Sequence, residues 1–197
     1  MTILVAVETK AGVTVATDSQ VSDSYSSYIL PESQSKVGFR GPYLIGTAGL
    51  LRVGQVMLHA DDIPVPNTQT SDEELNKFMI TKFSWATQDT LKISGIERQV
   101  DSERVFTDSE MLVCVNGRAY SIGGDYAVMR ATDKTAIADG VIALGSGQLL
   151  ALGAYYALSQ RRTKPSPMDI ATTMVEAAIR WDHYCGGPIK TYTQERP

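Results

Sequence analysis

Two segments near the start of the chain are apolar without alternation: Ile3-Leu4-Val5-Ala6-Val7 and Val13-Thr14-Val15-Ala16. A strand with one face in water alternates apolar and polar residues, whereas a strand covered on both faces runs apolar throughout. The polar stretch Glu8-Thr9-Lys10-Ala11-Gly12 reads as the turn that joins them into a hairpin. A hairpin that must be covered on both sides belongs inside a layered structure, and this is the strongest constraint the sequence carries.

The later segments supply the layers. Residues 19 to 35 are polar, rich in Ser and Tyr and interrupted by Pro31, and read as an exposed loop or irregular strand. Short strands follow at 37–39 and 43–46. Leu50, Val53, Met57 and Leu58 then recur at helical spacing. Ser71 and Glu74 form a capping-box pattern, and Leu75, Phe78, Met79, Phe83 and Ala86 trace one face of a long helix to about Leu91. Residues 94 to 110 are polar and read as loop. Asn116-Gly117 between apolar runs at 111–115 and 118–122 is a type I′ hairpin signal. A strand at 141–144, a helix at 148–160 and a helix opening at Ser166-Pro167 come next. Ala171, Val175, Ala178, Asp182 and Cys185 fall on one face of that last helix, which Gly186-Gly187-Pro188 stops before a final strand at 189–193. The order is strands, two helices, strands, two helices, strand, and it predicts helix layers outside a pair of sheets.

Composition narrows the function. At 197 residues, 43% hydrophobic and 20% charged, the chain reads as one globular domain able to bury a full core. A net charge of −4 gives no reason to expect nucleic acid or an anionic membrane. Cys114 and Cys185 lack metal-ligand spacing, so they read as reduced thiols, with no metal and no cofactor expected. No secretory signal or membrane-spanning run is evident, and a cytoplasmic protein is expected.

Thr2 follows the initiator methionine directly. Its side chain is small enough for Met1 removal to be expected. A threonine with a free α-amine can use that amine as the base for its own hydroxyl.

Taken together, several motifs resemble the proteasome β-type subunits and their HslV-like bacterial homologues. They are Thr2 before a buried strand, Asp18 in ATDSQ, Lys36 in SKVGF, Gly49 in GTAG, Ser146 in LGSG, and Asp182 with Cys185 in RWDHYCGG. Each is short, but their order and intervals agree across nearly the whole chain. The resemblance implies a single N-terminal nucleophile hydrolase domain over residues 1–197, a four-layer α/β/β/α sandwich. It implies a threonine peptidase with Thr2 as nucleophile. Asp18 and Lys36 would be its charged partners, the Gly49 N–H the oxyanion donor, and Ser146, Asp182 and Cys185 the surround of the amine. Cys185 stands where the family commonly has serine. Val21, Thr47 and Leu51 would line an apolar substrate pocket. The implied partners are further copies of the chain in hexameric or heptameric, stacked rings, an unfolded protein or peptide substrate, and, for HslV-like members, a ring ATPase that unfolds substrate.

Alone, these residues have plainer readings: Lys36 a solvated lysine, Asp18 a turn residue, Gly49 helix punctuation and Ser146 an N-cap. Together and in register they favour the site. His59 and His183 read as structural. The rival from another class is a catalytically silent shell or assembly protein that retains Met1, and therefore offers no free amine at Thr2.

Overall fold

The doubly apolar hairpin forms as β1 (Ile3–Thr9) and β2 (Gly12–Thr17). Ile3, Leu4, Val5, Ala6 and Val7 are all fully buried. Their side chains divide strictly by parity: Ile3, Val5 and Val7 join one apolar cluster, while Leu4 and Ala6 join another on the opposite face. The structure, a computed structural model, describes residues 2–22, 25–100, 103–105, 109–131 and 137–197. Met1, and with it the expected removal of that residue, lies outside them.

β1 and β2 form the centre of one antiparallel sheet, flanked by β12 (Gly140–Gly145) and β13 (Lys190–Glu195) in the order β12-β1-β2-β13. A second sheet runs β11-β10-β9-β6-β5, built from β5 (Val37–Arg40), β6 (Tyr43–Ala48), β9 (Glu110–Val115), β10 (Arg118–Ile122) and β11 (Val128–Arg130). Leu4, Ala6 and Val15 of the first sheet meet Leu44, Leu112, Cys114 and Ala119 of the second in a shared core. Against the other face of the first sheet lie α4 (Gln148–Ser159) and α5 (Pro167–Trp181), through Ala151, Tyr155, Ile170, Met174 and Ala178. Against the second lie α1 (Leu51–His59), α2 (Asp72–Phe78) and α3 (Ser84–Ile93), through Val53, Met57, Leu75 and Leu91. Asn116 and Gly117 take φ values of 50° and 67°, as the β9–β10 turn requires. Among the described residues, no helix is long and apolar enough to cross a membrane.

Four local expectations are corrected. The polar turn predicted at 8–12 is shorter, because Glu8 is a paired residue of β1 and is only 2% exposed. The helix predicted as one piece from Ser71 is interrupted by a π-helical turn, Met79–Phe83, where the Ser84 N–H reaches the Met79 carbonyl. Its cause is in the spacing: Leu75, Met79, Phe83, Thr87 and Leu91 are all fully buried at uniform intervals of four. In a regular helix each step of four overshoots a full turn by about 40°, so the stripe would drift by roughly 160° over that length. The wider π turn takes up part of that drift, and Phe83 packs its ring 4.9 Å from that of Tyr43. The stretch predicted as loop at 94–110 contains β7 (Arg98–Val100) paired with β8 (Glu103–Val105). Such a polar strand pair satisfies its backbone without an apolar pattern to announce it; residues 101–102 and 106–108 of that segment are outside the described ones. Finally, β11 carries only three residues and was not anticipated. In the segment at 19–35, β3 (Gln20–Ser22) pairs with β4 (Ser27–Ile29), an irregular strand pair as allowed for, with 23–24 outside the described residues.

Candidate active site

The register of the first hairpin assembles the first two members of the site. Leu4 pairs with Thr17, so the residue before β1 and the residue after β2 emerge side by side. These are Thr2 and Asp18. The Thr2 hydroxyl donates to Asp18 Oδ1 at 3.0 Å, and the Thr17 hydroxyl holds the strand start by donating to the Ile3 carbonyl at 3.0 Å. Lys36, one residue ahead of β5 in the other sheet, sends its ammonium to Asp18 Oδ1 at 2.5 Å and also donates to Thr2 Oγ1. Thr2, Asp18 and Lys36 are 3%, 1% and 5% exposed.

Asp18 organises this end of the molecule. Oδ1 accepts from Thr2, Lys36 and the Ile3 N–H, while Oδ2 accepts from the N–H groups of Gln20 and Gly186. Burying a carboxylate is costly unless donors of this kind surround it. Burial pushes the Lys36 ammonium below its usual value; the neighbouring Asp18, by charge and hydrogen bond, works in the opposite direction.

The second group forms at the other edge of Thr2. Ser146, just past β12, lies with its hydroxyl 3.4 Å from the Thr2 carbonyl and 3.9 Å from Cys185 Sγ. The Cys185 thiol donates to Asp182 Oδ2 at 3.3 Å. Burial first, then the nearby Asp18 and Asp182 carboxylates, pushes that thiol up to about 12. Burial works upward on Asp182 as well, but hydrogen bonds from Ser146, the Tyr184 N–H and Cys185 outweigh it and hold its carboxyl below the usual range.

One expectation about this group is corrected. Asp182 and Cys185 do not share a helix face. The helix ends at Trp181, and Asp182 is its C-cap in an extended conformation. Its side chain accepts from the Tyr184 N–H at 3.0 Å and its carbonyl from the Cys185 N–H at 3.0 Å, so a turn brings the thiol back. Aspartate bonding to backbone two residues ahead competes with helix continuation. Nor is Ser146 an N-cap: Gly147 holds that position, with no side-chain cap bond.

The remaining predicted residues lie on neighbouring elements. Gly49 follows β6 with φ of 110°, a conformation open to glycine. Thr47 is buried on β6, its Oγ1 unpartnered and so close to Gly54 of α1 that a Cβ there would stand 2.6 Å away. Val21 is half-buried on β3, and Leu51 is half-buried at the start of α1. His183 packs its ring 3.7 Å from that of Tyr184.

Sequence reasoning missed Gly145 and Gly186 as individual positions. Gly145 has φ of 96°, and a Cβ there would come within 2.2 Å of the Thr2 carbonyl oxygen. Gly186 supplies an N–H to Asp18 and lies so close to Gln20 that a Cβ would meet its Oε1 at 2.3 Å. Their signal was present in the glycine pairs of LGSG and CGG, which read as punctuation.

Solved structures share this fold. Thiobacillus denitrificans BPH superposes with a TM-score of 0.75 over 99% of this chain and 98% of that chain, at 17% identity. Eukaryotic HslV from Trypanosoma brucei superposes at 0.64 over 98% and 99%, at 18% identity. Anbu, the ancestral beta-subunit, from Yersinia bercovieri superposes at 0.63 over 98% of this chain and 82% of that chain, at 13% identity. The fold is that of a proteasome β-type subunit. No protein-family model matches the sequence, and no curated protein matches it. At these identities the likeness is one of fold; in this chain Thr2 stands directly before β1, where Asp18 and Lys36 converge on it.

Proposed function

We propose that this chain is an N-terminal nucleophile hydrolase of the four-layer α/β/β/α type, a threonine endopeptidase that works inside a self-assembled proteasome-like ring in the cytoplasm. The observation that carries this reading is the buried contact of Thr2 Oγ1 with both Asp18 and Lys36. Removal of Met1 frees the Thr2 amine. That amine has an ordinary pKa of about 7.7–8.0, so near neutrality part of it is ready to take a proton. Thr2 Oγ attacks the substrate carbonyl as the amine takes the hydroxyl proton. Collapse of the tetrahedral adduct expels the amine half of the peptide, which receives that proton, and leaves an ester on Thr2. Water then cleaves the ester by the reverse use of the same base.

Lys36 provides a fixed positive charge beside the developing alkoxide and favours the neutral amine. Asp18 holds Lys36 and the Thr2 hydroxyl in one geometry. The Gly49 N–H serves as oxyanion donor, a contribution of roughly 10²–10³ in rate. Ser146, Asp182 and Cys185 orient the amine. Val21, Thr47 and Leu51 form an apolar substrate subsite, and a ring ATPase delivers unfolded protein.

Intact mass and peptidase assay test this together. The expected result is a chain lacking Met1 that hydrolyses small fluorogenic peptides, with Thr2→Ala assembled but inert. A protein with a free Thr2 amine that neither turns over peptides nor is labelled by a threonine-directed electrophile would be a silent shell of the same fold.

A further inference from the structure

Lys36 is delivered to the site by a segment that the core does little to hold. Leu30 is buried, with its N–H donating to the Ser19 carbonyl at 2.8 Å, and β5 begins at Val37. Between these anchors Pro31, Glu32, Ser33 and Gln34 are all exposed. The Gln34 N–H closes a turn on the Pro31 carbonyl at 2.9 Å. A turn without a buried side chain ordinarily belongs to the least stable part of a fold.

Lys190, the first residue of β13, meets that turn from the side. Its ammonium donates to the Pro31 carbonyl at 3.4 Å, to the Glu32 carbonyl at 2.7 Å and to the Gln34 carbonyl. An ammonium has three donors and no acceptor, and here three carbonyls of one turn converge on it. The backbone that carries Lys190 is in turn fixed to both neighbours of Asp18. Lys190 pairs with Thr17 across β13 and β2. Ser19 donates its N–H to the Gly186 carbonyl at 3.0 Å and its hydroxyl to the Pro188 carbonyl at 2.6 Å, just ahead of β13.

We infer that Lys190 is a positioning residue for the reaction: it holds the Pro31–Gln34 turn at a fixed place relative to Asp18, and so sets where the Lys36 ammonium stands against Asp18 and Thr2 Oγ1. Only Ser35 separates the turn from Lys36, so a shift of the turn has one residue in which to be absorbed. The two charged partners of Thr2 come from different sheets, and Lys190 braces them from outside the site. A lysine that only fastened a surface loop would leave the chemistry untouched when removed, and that difference is measurable.

The inference rests on the peptidase reading above. Its test is Lys190→Met in the full-length protein, which keeps most of the apolar stem and removes the ammonium. Hydrogen exchange should quicken at residues 32–36 while the thermal midpoint stays within a few degrees of wild type. On a small fluorogenic peptide kcat should fall about 10-fold with KM nearly unchanged, a smaller loss than a full one-ångström misplacement brings. Asp18 and Cys185 are the titratable groups that raise Lys36 against its burial, so a looser contact with Asp18 should move the alkaline limb of the kcat profile to lower pH. A variant with wild-type kcat and an unmoved alkaline limb overturns the inference, whatever its exchange. A wild type that carries a free Thr2 amine and turns nothing over removes the peptidase reading instead. The brace is then judged on exchange alone: quickening at 32–36 keeps it, and unchanged protection overturns it.

Discussion

β1 carries a buried ionic cluster at each end, and the two are built differently. At the start, the buried side chains of Lys36 and Asp18 enclose the hydroxyl of Thr2. At the far end, Glu8 accepts from Arg130, Arg196 and the Ala119 N–H, and Arg130 reaches on to Asp72. That second cluster ties β1 to β10, β11, the helix start at α2 and the residue that follows β13. Its cations are guanidiniums, planar and multidentate, which keep their charge when buried. Burial works downward on Arg130, but Asp72 and Glu8 outweigh it and raise it above its ordinary value. Lys36, by contrast, is moved downward by burial. The difference separates a fastening from a reactive site: one uses a cation that holds its proton, the other a cation whose proton the surroundings can shift.

Substitutions can break each end without the other. Thr2→Ala should remove all measurable peptide hydrolysis while leaving the thermal midpoint within a few degrees of wild type. Glu8→Ala should do the opposite. It takes the shared carboxylate from Arg130 and Arg196 and should cost about 3 kcal/mol of unfolding free energy in urea titration, with per-site turnover kept in the fraction that remains folded. Lys36→Arg asks whether charge alone suffices. The larger planar group cannot repeat a contact to Asp18 and Thr2 from one nitrogen, and kcat should fall about 10²-fold, the scale of a one-ångström misplacement.

The pH profile sharpens the same contrast. Activity should rise through the range of the Thr2 amine as it loses its proton. It should fall again when Lys36 deprotonates, at a pH below that lysine's usual 10.5. The Thr2 end also contains the smallest expected effect. Asp182 is held below its ordinary value of 3.8, so its folded-state stabilisation is complete above that pH and is lost as the pH falls through the lower folded value. Asp182→Asn should therefore cost about 1 kcal/mol at neutral pH, with the gap from wild type closing in acid.

What could be read from the sequence depended on how local the cause was. The unalternating apolar runs predicted doubly covered strands, because burial on both faces leaves its mark residue by residue. The capping box at Ser71 formed as its spacing predicted, and Ser166 opens its helix ahead of Pro167 as read. Glu8 was misread as a turn residue because what permits its burial, Arg130 and Arg196, stands far away in sequence. Asp18 and Lys36 raise the same difficulty, since nothing local distinguishes them from surface charges. Resemblance, rather than periodicity, brought them together. Cys185 was placed on a helix by a spacing that a turn satisfies equally well.

The π turn at Met79–Phe83 bears on how relatives of this chain are to be recognised. A relative that keeps the same helix without the wide turn should be one residue shorter there, and the missing position falls in the middle of a helix. An alignment that confines gaps to loops would then shift the register on one side of the turn. Such a slip would misplace either Thr2, Asp18 and Lys36 or Ser146, Asp182 and Cys185, separating in sequence the two groups that the fold brings to one threonine.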